Sequence, residues 1–449
     1  MSLIKVSRRG VLGLTVLAAT GAAAAIAAPA WATTSSSEEV AEWIDRKARP
    51  LRTTDPGADL DDLRALRHVV DGATVAGLGE ASHGSRELFR VKHRMTRFLV
   101  ERMGFRTLAF EQDFAWGTLI DHYVVTGEGD PRELVSGMSS PLWATEEILE
   151  LITWMRSYNE EHRDKVRFLG ADLLTLHQLS FDKVIAYVEQ VAPERLDEVQ
   201  AELKPLRLRG EYYEHFQWYD GLDADEKQRL IEHARELVKL LEALPDTSDY
   251  MDGEFARQHA RAILGWYEYY VSGEALRPNR ERFIADAVRW WKRLHGGRIA
   301  YWAANVHTGA AKEVTFRMPG DTSNGSWAGH HLRQYFGRRY VSIGTAFHEG
   351  SITSGWAPPA PYRVDAPPKQ LLEAVLGASV HADYLLDLRA SAPRPVREWL
   401  AGPARLRMIH PSYTTPGDGS DHTMSVDSLT DLFDAIVHIR TTTPSRLLR

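Results

Sequence analysis

The chain has 449 residues, 44% of them hydrophobic and 26% charged, with a formal net charge of −7. The acidic sign argues against nucleic acid or an anionic membrane surface as a partner. There is no cysteine, which excludes disulfides, thiolate metal sites and a thiol nucleophile.

Residues 1–32 read as an export signal and not as part of the fold. Lys5, Arg8 and Arg9 form a charged start, Ser7-Arg-Arg-Gly-Val-Leu12 has the twin-arginine pattern, and an Ala-rich apolar stretch ends at Ala30-Trp-Ala32, a small-residue cleavage site before Thr33. The alternative is an uncleaved membrane anchor. Cleavage removes those three positive charges, so the −7 of the whole chain becomes −10, and it predicts an exported, soluble protein with no stable membrane association.

Residues 33–449 read as one α/β domain: a central, mostly parallel sheet with crossover helices and a large inserted helical subdomain. The segment Glu39 to Val70 is helical in pattern. Ala73 to Ala76 is then an apolar strand run, followed by Gly77-Leu-Gly-Glu-Ala-Ser-His-Gly84 and an amphipathic run from about Arg86 to Arg102. This is a strand-to-helix turn displaying Glu80 and His83, and open α/β sheets carry their chemistry on such turns. Further strand runs end at Glu111, at Asp172 and, after Ile299-Ala-Tyr-Trp302, near Asn305 and His307. If these strands are neighbours, two histidines and three carboxylates converge as in a water-activating site.

On the helix after the first turn, Lys92 shares a face with Leu88, Met95 and Leu99, so a cation points inward and needs a carboxylate from among Glu80, Glu87 and Glu111. About residues 177–296 the pattern is helical only, and this stretch reads as the insertion. Its aromatic groups, Tyr212 to Tyr219 and Trp266 to Tyr270, read first as helix packing and second as a cleft wall for a bulky apolar ligand. Past Gly337 short strands return at Tyr340 to Thr345, Tyr384 to Leu388, Leu406 to His410 and Ala435 to Ile439. His330, His331, His410 and His422 read as surface or loop residues.

Gly79-Glu80-Ala-Ser-His83-Gly84, Glu87-Leu-Phe, Gly104-Phe105, Phe110-Glu111, Trp302-Ala-Ala-Asn305-Val-His307 and the Phe336-Gly337 to Gly344-Thr345 segment together resemble the erythromycin esterase family over roughly residues 40 to 440. The resemblance implies that His83 is the base for water attack on an ester carbonyl, with Glu80 and Glu111 orienting it and His307 beside them. Lys92, Asp172, Asn305 and Arg280 are the candidate substrate-binding or electrostatic groups. The substrate is then an ester or lactone of a bulky, partly apolar secondary metabolite, with no cofactor.

Two departures stand out. Family members that cleave macrolides often carry Arg where this chain has Lys92, and the usual Trp-Ala-His-Asn reads Trp302-Ala303-Ala304-Asn305 here. They keep open a biosynthetic lyase or cyclase using the same base without water, and a ligand-binding protein without turnover. A metal-dependent hydrolase is a further alternative, since Glu80, His83, Glu111, Asp172 and His307 are ligand types. The missing His-Glu-x-x-His motif and the nearby Lys92 favour a metal-free site. Ser82 lacks the Gly-x-Ser-x-Gly spacing of a nucleophile elbow and reads as a turn residue.

Overall fold

The computed structural model describes residues 34–245, 250–271, 277–356 and 358–448. The export signal expected over residues 1–32 lies outside them. Among the described residues no helix is long and apolar enough to cross a membrane.

Thirteen strands are found among the described residues. In chain order they are β1 (Arg49–Pro50), β2 (Val75–Leu78), β3 (Phe105–Asp113), β4 (Arg167–Asp172), β5 (Arg298–Trp302), β6 (Val314–Met318), β7 (Asp321–Gly325), β8 (Tyr340–Ser354), β9 (Ala360–Val364), β10 (Tyr384–Asp387), β11 (Ala404–Arg407), β12 (Thr423–Val426) and β13 (Ala435–Thr442). Nine of them form the central sheet in the order β1-β10-β13-β8-β2-β5-β3-β4, with β9 paired to β8. The block from β13 to β4 is parallel; β10 and β9 run antiparallel to it, and β1 pairs antiparallel with β10. Helices cover both faces, which is why Val75–Leu78 is apolar at every position and buried at every position.

Strands β2, β5, β3 and β4 are consecutive neighbours, so the four turns singled out in the sequence open at one edge of the sheet. The first is built by close approach and not by unusual dihedrals. Gly79 and Gly84 have no positive φ, but a Cβ on Gly79 would overlap Asn305 Oδ1, and one on Gly84 would overlap the carbonyl oxygen of Thr353. Ser85 then caps the helix Arg86–Met103, accepting from the Leu88 amide at 3.2 Å, and Gly104 ends it at φ 72°.

The described residues between 178 and 295 carry helices and no strand: Gln178–Val191, Leu196–Leu206, Tyr212–Asp220, Ala224–Glu242, Tyr250–Tyr269 and Arg277–His295. The first five share an apolar core that includes Leu203, Tyr219, Leu237, Trp266 and Tyr267, while the last lays Trp290 and Trp291 against the sheet. The aromatic groups therefore divide. Tyr219, Trp266 and Tyr267 are core, whereas Tyr269 and Tyr270 face a cleft.

Two expectations change. The N-terminal region is not continuously helical: helix Thr34–Lys47 is followed by a loop, where Pro50 and Pro56 break the pattern, and helical turns return only at Asp61–Leu63 and Leu66–Val69; buried Arg94 holds the loop through Asp62 (2.6 Å) and the Asp59 carbonyl (2.6 Å). The C-terminal strands do not all join the central sheet. Ala404–Arg407 belongs to a separate antiparallel sheet, β11-β12-β6-β7. Three of its strands are polar or very short and carry little sequence signal. Gly320, at φ 79°, makes the tight β6–β7 turn.

Candidate active site

Glu80 leaves β2 fully buried, and its two oxygens are divided between three partners. Oε1 lies 2.6 Å from His83 Nδ1. Oε2 accepts from Lys92 Nζ and from the indole N–H of Trp302, each at 2.8 Å, with the ammonium 4.1 Å from the centre of that indole ring. Burial works to raise the Glu80 carboxyl, but Lys92 and His83 outweigh it and hold the pKa below its ordinary value. Burial also pulls Lys92 down to about 8 against the attraction of Glu80.

An ionised carboxylate only accepts, so Nδ1 of His83 carries the proton and its Nε2 presents a lone pair. The ring meets the edge of Trp143 at 5.3 Å and lines the cleft. The turn thus holds one imidazole in the tautomer that a general base requires.

A second cluster forms where β3, β4 and β5 end. Glu111 on β3 accepts from Arg280 Nη2 at 3.2 Å and from the Ala304 amide at 2.8 Å, and its Oε1 is 3.2 Å from His307 Nε2. Arg280, in the first turns of the helix Arg277–His295, also grips Asp172 of β4 with Nε at 2.9 Å and Nη2 at 2.5 Å. The other nitrogen of His307 lies 2.8 Å from Glu281 Oε2, which also accepts the Ala328 amide at 3.0 Å. Burial disfavours the His307 cation, but Glu281 and Glu111 dominate and raise its pKa to about 10. Burial likewise works to raise Glu111, yet His307, His83 and Arg280 hold it far below the carboxylate range. Asp172 goes the other way, because burial outweighs the pull of Arg280.

Both clusters open into one cleft of about 300 Å³. Its floor is His83, Glu111, Arg280, Glu281, Ala304 and His307. One wall is Trp143, Leu174, Tyr269 and Tyr270; the other is apolar and comes mainly from the second sheet and its flanks, through Phe316, Met318, Trp327 and Met408. The floor is charged and the walls are largely apolar, which is the composition of a site for a small organic ligand. Among the described residues no group of three or more His, Cys, Asp or Glu is arranged to hold a metal ion.

The family model for erythromycin esterase matches residues 100–442. The chain belongs to the erythromycin esterase family. By family it is an esterase-type hydrolase. It is 34% identical to erythromycin esterase type II of Escherichia coli over 132 residues, which span 29% of this chain and 31% of that protein. It is 23% identical to YbfO of Bacillus subtilis, which carries a hydrolase name, over 80% of this chain and 84% of that one. A crystal structure of a Bacillus cereus protein superposes with a TM-score of 0.80 at 27% identity, covering 92% of this chain and 99% of the other. An erythromycin esterase mutant in its open conformation superposes at 0.71 over 90% and 99%, and at 18% identity this is a likeness of fold.

Within this family member the residues expected from the sequence divide by position. His83, Glu111, Arg280 and His307 line the cleft; Glu80, Lys92, Asp172 and Asn305 stand behind it. Lys92 holds Glu80 and does not face the substrate space. Glu87, a third candidate partner for Lys92, instead accepts from the Thr443 amide at 2.6 Å. Asp172 anchors Arg280. Asn305, expected among the substrate-binding or electrostatic groups, is fully buried and clamps β8: its Nδ2 donates to Thr345 O at 2.7 Å and its Oδ1 accepts the Thr345 amide at 3.0 Å. Its side chain turns to the neighbouring strand, where a backbone pair satisfies the amide.

Two ionisable cleft residues escaped the sequence reading. Glu281 had one available signal, an acid flanked by Arg280 and Arg282 near the start of a helix. His410, read as surface or loop, lines the cleft, and His422 is buried; no local pattern distinguishes either from a loop histidine.

Proposed function

We propose that this protein is an exported hydrolase of an ester or lactone of a bulky, partly apolar secondary metabolite, with His83 as the base. The observation that carries this reading is the Glu80–His83 pair, 2.6 Å apart, with the imidazole on the cleft floor. His83 Nε2 takes a proton from water as the water oxygen bonds to the carbonyl carbon. Glu80 balances the imidazolium, and the proton then passes to the leaving alcohol oxygen as its bond to carbon breaks. Arg280 and His307 supply positive charge beside the carboxylate product, with Glu111 holding both in place.

Export rests on the twin-arginine pattern and the Ala-rich stretch of residues 1–32. A mature N-terminus at Thr33 in the culture medium is the expected finding.

A second reading uses the same base without water, as a lyase or cyclase. Ala304 favours it, because a methyl group stands on the cleft floor where the family usually has an imidazole. Incubation of the mature protein with macrolides and with extract of its source, followed by mass spectrometry, separates the readings. Hydrolysis adds the mass of water, cyclisation or elimination does not, and a protein that only binds leaves its ligand unchanged.

A further inference from the structure

The segment that follows β13, residues 443–448, is a strap between two sides of the cleft. On one side it holds the catalytic turn. The Ser445 amide donates to Gly84 O at 2.9 Å, the Arg86 amide donates to Thr443 O at 3.0 Å, and Ser85 and Pro444 form an antiparallel bridge. On the other side it holds the residues that follow Trp143. The Leu448 amide donates to Ala144 O and the Glu146 amide to Arg446 O, each at 2.8 Å, and Thr145 and Leu447 form a second antiparallel bridge.

Glu147 fastens this strap. It is buried, near the start of the helix Glu146–Glu161. Its Oε2 accepts the Arg446 amide at 3.0 Å, its Oε1 accepts from Arg446 Nε at 2.9 Å, and Arg86 Nε lies 3.5 Å from the same Oε1. One carboxylate thus joins the strap to the helix after the catalytic turn and to the helix after Trp143. The joint bears on His83 and Trp143, whose rings meet edge to face at 5.3 Å. The indole N–H of Trp143 is buried without a hydrogen-bond partner, so packing and the surrounding backbone alone set that ring. His83 is bonded to Glu80 through Nδ1. A single hydrogen bond fixes a distance and leaves the imidazole free to tilt about it; the edge of Trp143 removes that freedom.

We propose that Glu147 and the strap are positioning elements for His83: they hold the backbone beside Trp143 and the turn that carries the imidazole, and so fix the tilt at which that ring meets Glu80. The effect on rate rests on the reading of His83 as the base. Glu147 and residues 443–448 stand outside the lining of the cleft, so they act through His83 and Trp143 and not on the substrate. Misplacing a reacting group by about 1 Å costs about 10²-fold in rate, which gives a remote clamp on the ring a measurable weight.

The test uses the full mature protein with p-nitrophenyl butyrate and ethyl butyrate, and compares Ser445→Pro, Glu147→Ala, Glu147→Gln and His83→Ala, each assayed where urea unfolding shows it fully folded. Proline at 445 removes the amide that Gly84 O accepts. Ser445→Pro and Glu147→Ala should each lower kcat by about 10- to 100-fold with KM little changed. Glu147→Gln keeps an acceptor for the Arg446 amide and should recover part of the loss. The ring-proton NMR signals of His83, identified by their disappearance in His83→Ala, should shift in Ser445→Pro and Glu147→Ala and return toward the parental position in Glu147→Gln. A strap that only stabilises the fold would lower the urea midpoint and leave kcat and these signals where they are. Parental kcat in the folded variants, an effect on KM alone, or a lowered kcat with unmoved His83 signals would each overturn the proposal. If Ser445→Pro does not fold, the two Glu147 variants decide. A parent that cleaves neither ester overturns the hydrolase reading, and a fully active His83→Ala overturns His83 as the base; in either case the His83 signals alone decide whether the strap sets the ring.

Discussion

Glu281 Oε2 lies 2.8 Å from His307 Nδ1, and this contact makes His307 a resident cation of the cleft floor. Its folded pKa of about 10 stands above the ordinary value of 6.5. The stability it contributes is therefore fully present below about pH 6.5 and is lost as pH rises toward 10. Lys92 has the opposite sign, because its pKa falls from 10.5 to about 8: between those values the unfolded chain holds the proton that the folded one has released, so stability rises with pH. The parent's urea midpoint should fall between pH 6.5 and 8 and level out between 8 and 10, where the two effects oppose each other. His307→Gln should flatten the first limb. An equally steep limb in the variant would show that His307 is not its source.

His83→Ala should lower turnover by about 10² to 10⁴, as expected for loss of a general base, with near-UV circular dichroism unchanged. Glu80 keeps Lys92 and Trp302 in that variant, so the buried carboxylate is not orphaned. Activity within a few-fold of the parent in a folded variant would remove His83 from the role.

Lys92→Met should destabilise the protein by about 3–5 kcal/mol, because it leaves Glu80 buried without its cation. Adding Glu80→Gln to the same chain should restore much of the loss. Urea unfolding of the two singles and the double gives the coupling; strict additivity would mean that the pair does not act as a unit.

Activity should survive exhaustive chelation. The carboxylate oxygens a metal would need are engaged, those of Glu80 by His83, Lys92 and Trp302, and those of Glu111 by Arg280, His307 and the Ala304 amide. Loss of activity on chelation, restored by one stoichiometric transition metal in elemental analysis, would transfer the water-activating role to that metal.

Erythromycin should be a poor substrate. The cleft floor carries only a methyl group at Ala304, and each macrolide polar atom buried without a partner costs about 1–3 kcal/mol. Ala304→His should raise macrolactone opening, measured by mass spectrometry. Efficient hydrolysis by the parent would show that position 304 does not discriminate.

The local pattern of residues was enough to locate the four strand ends, because a buried parallel strand reads as an apolar run and its end as a change to glycine and charge. That places Glu80 and His83 on a turn and Glu111, Asp172 and His307 at or just past strand ends, and the helical period places Lys92 on an inward face. The partners of these groups depend on strand order and on the path of the chain between strands, which local periodicity does not encode. The order β2-β5-β3-β4 brings Trp302 to Glu80 and Glu111 to His307. The return of the helix Arg277–His295 over the strand ends sets Arg280 between Asp172 and Glu111 and Glu281 against His307. Asn305 shows the limit from the other side: a strand-end residue reads alike whether it faces a cleft or a neighbouring backbone, and the packing of β8 decided that it clamps Thr345. His410 reaches the cleft only because Ile409 bridges to Ser82, a contact between distant parts of the chain that a loop histidine's neighbours in sequence cannot announce.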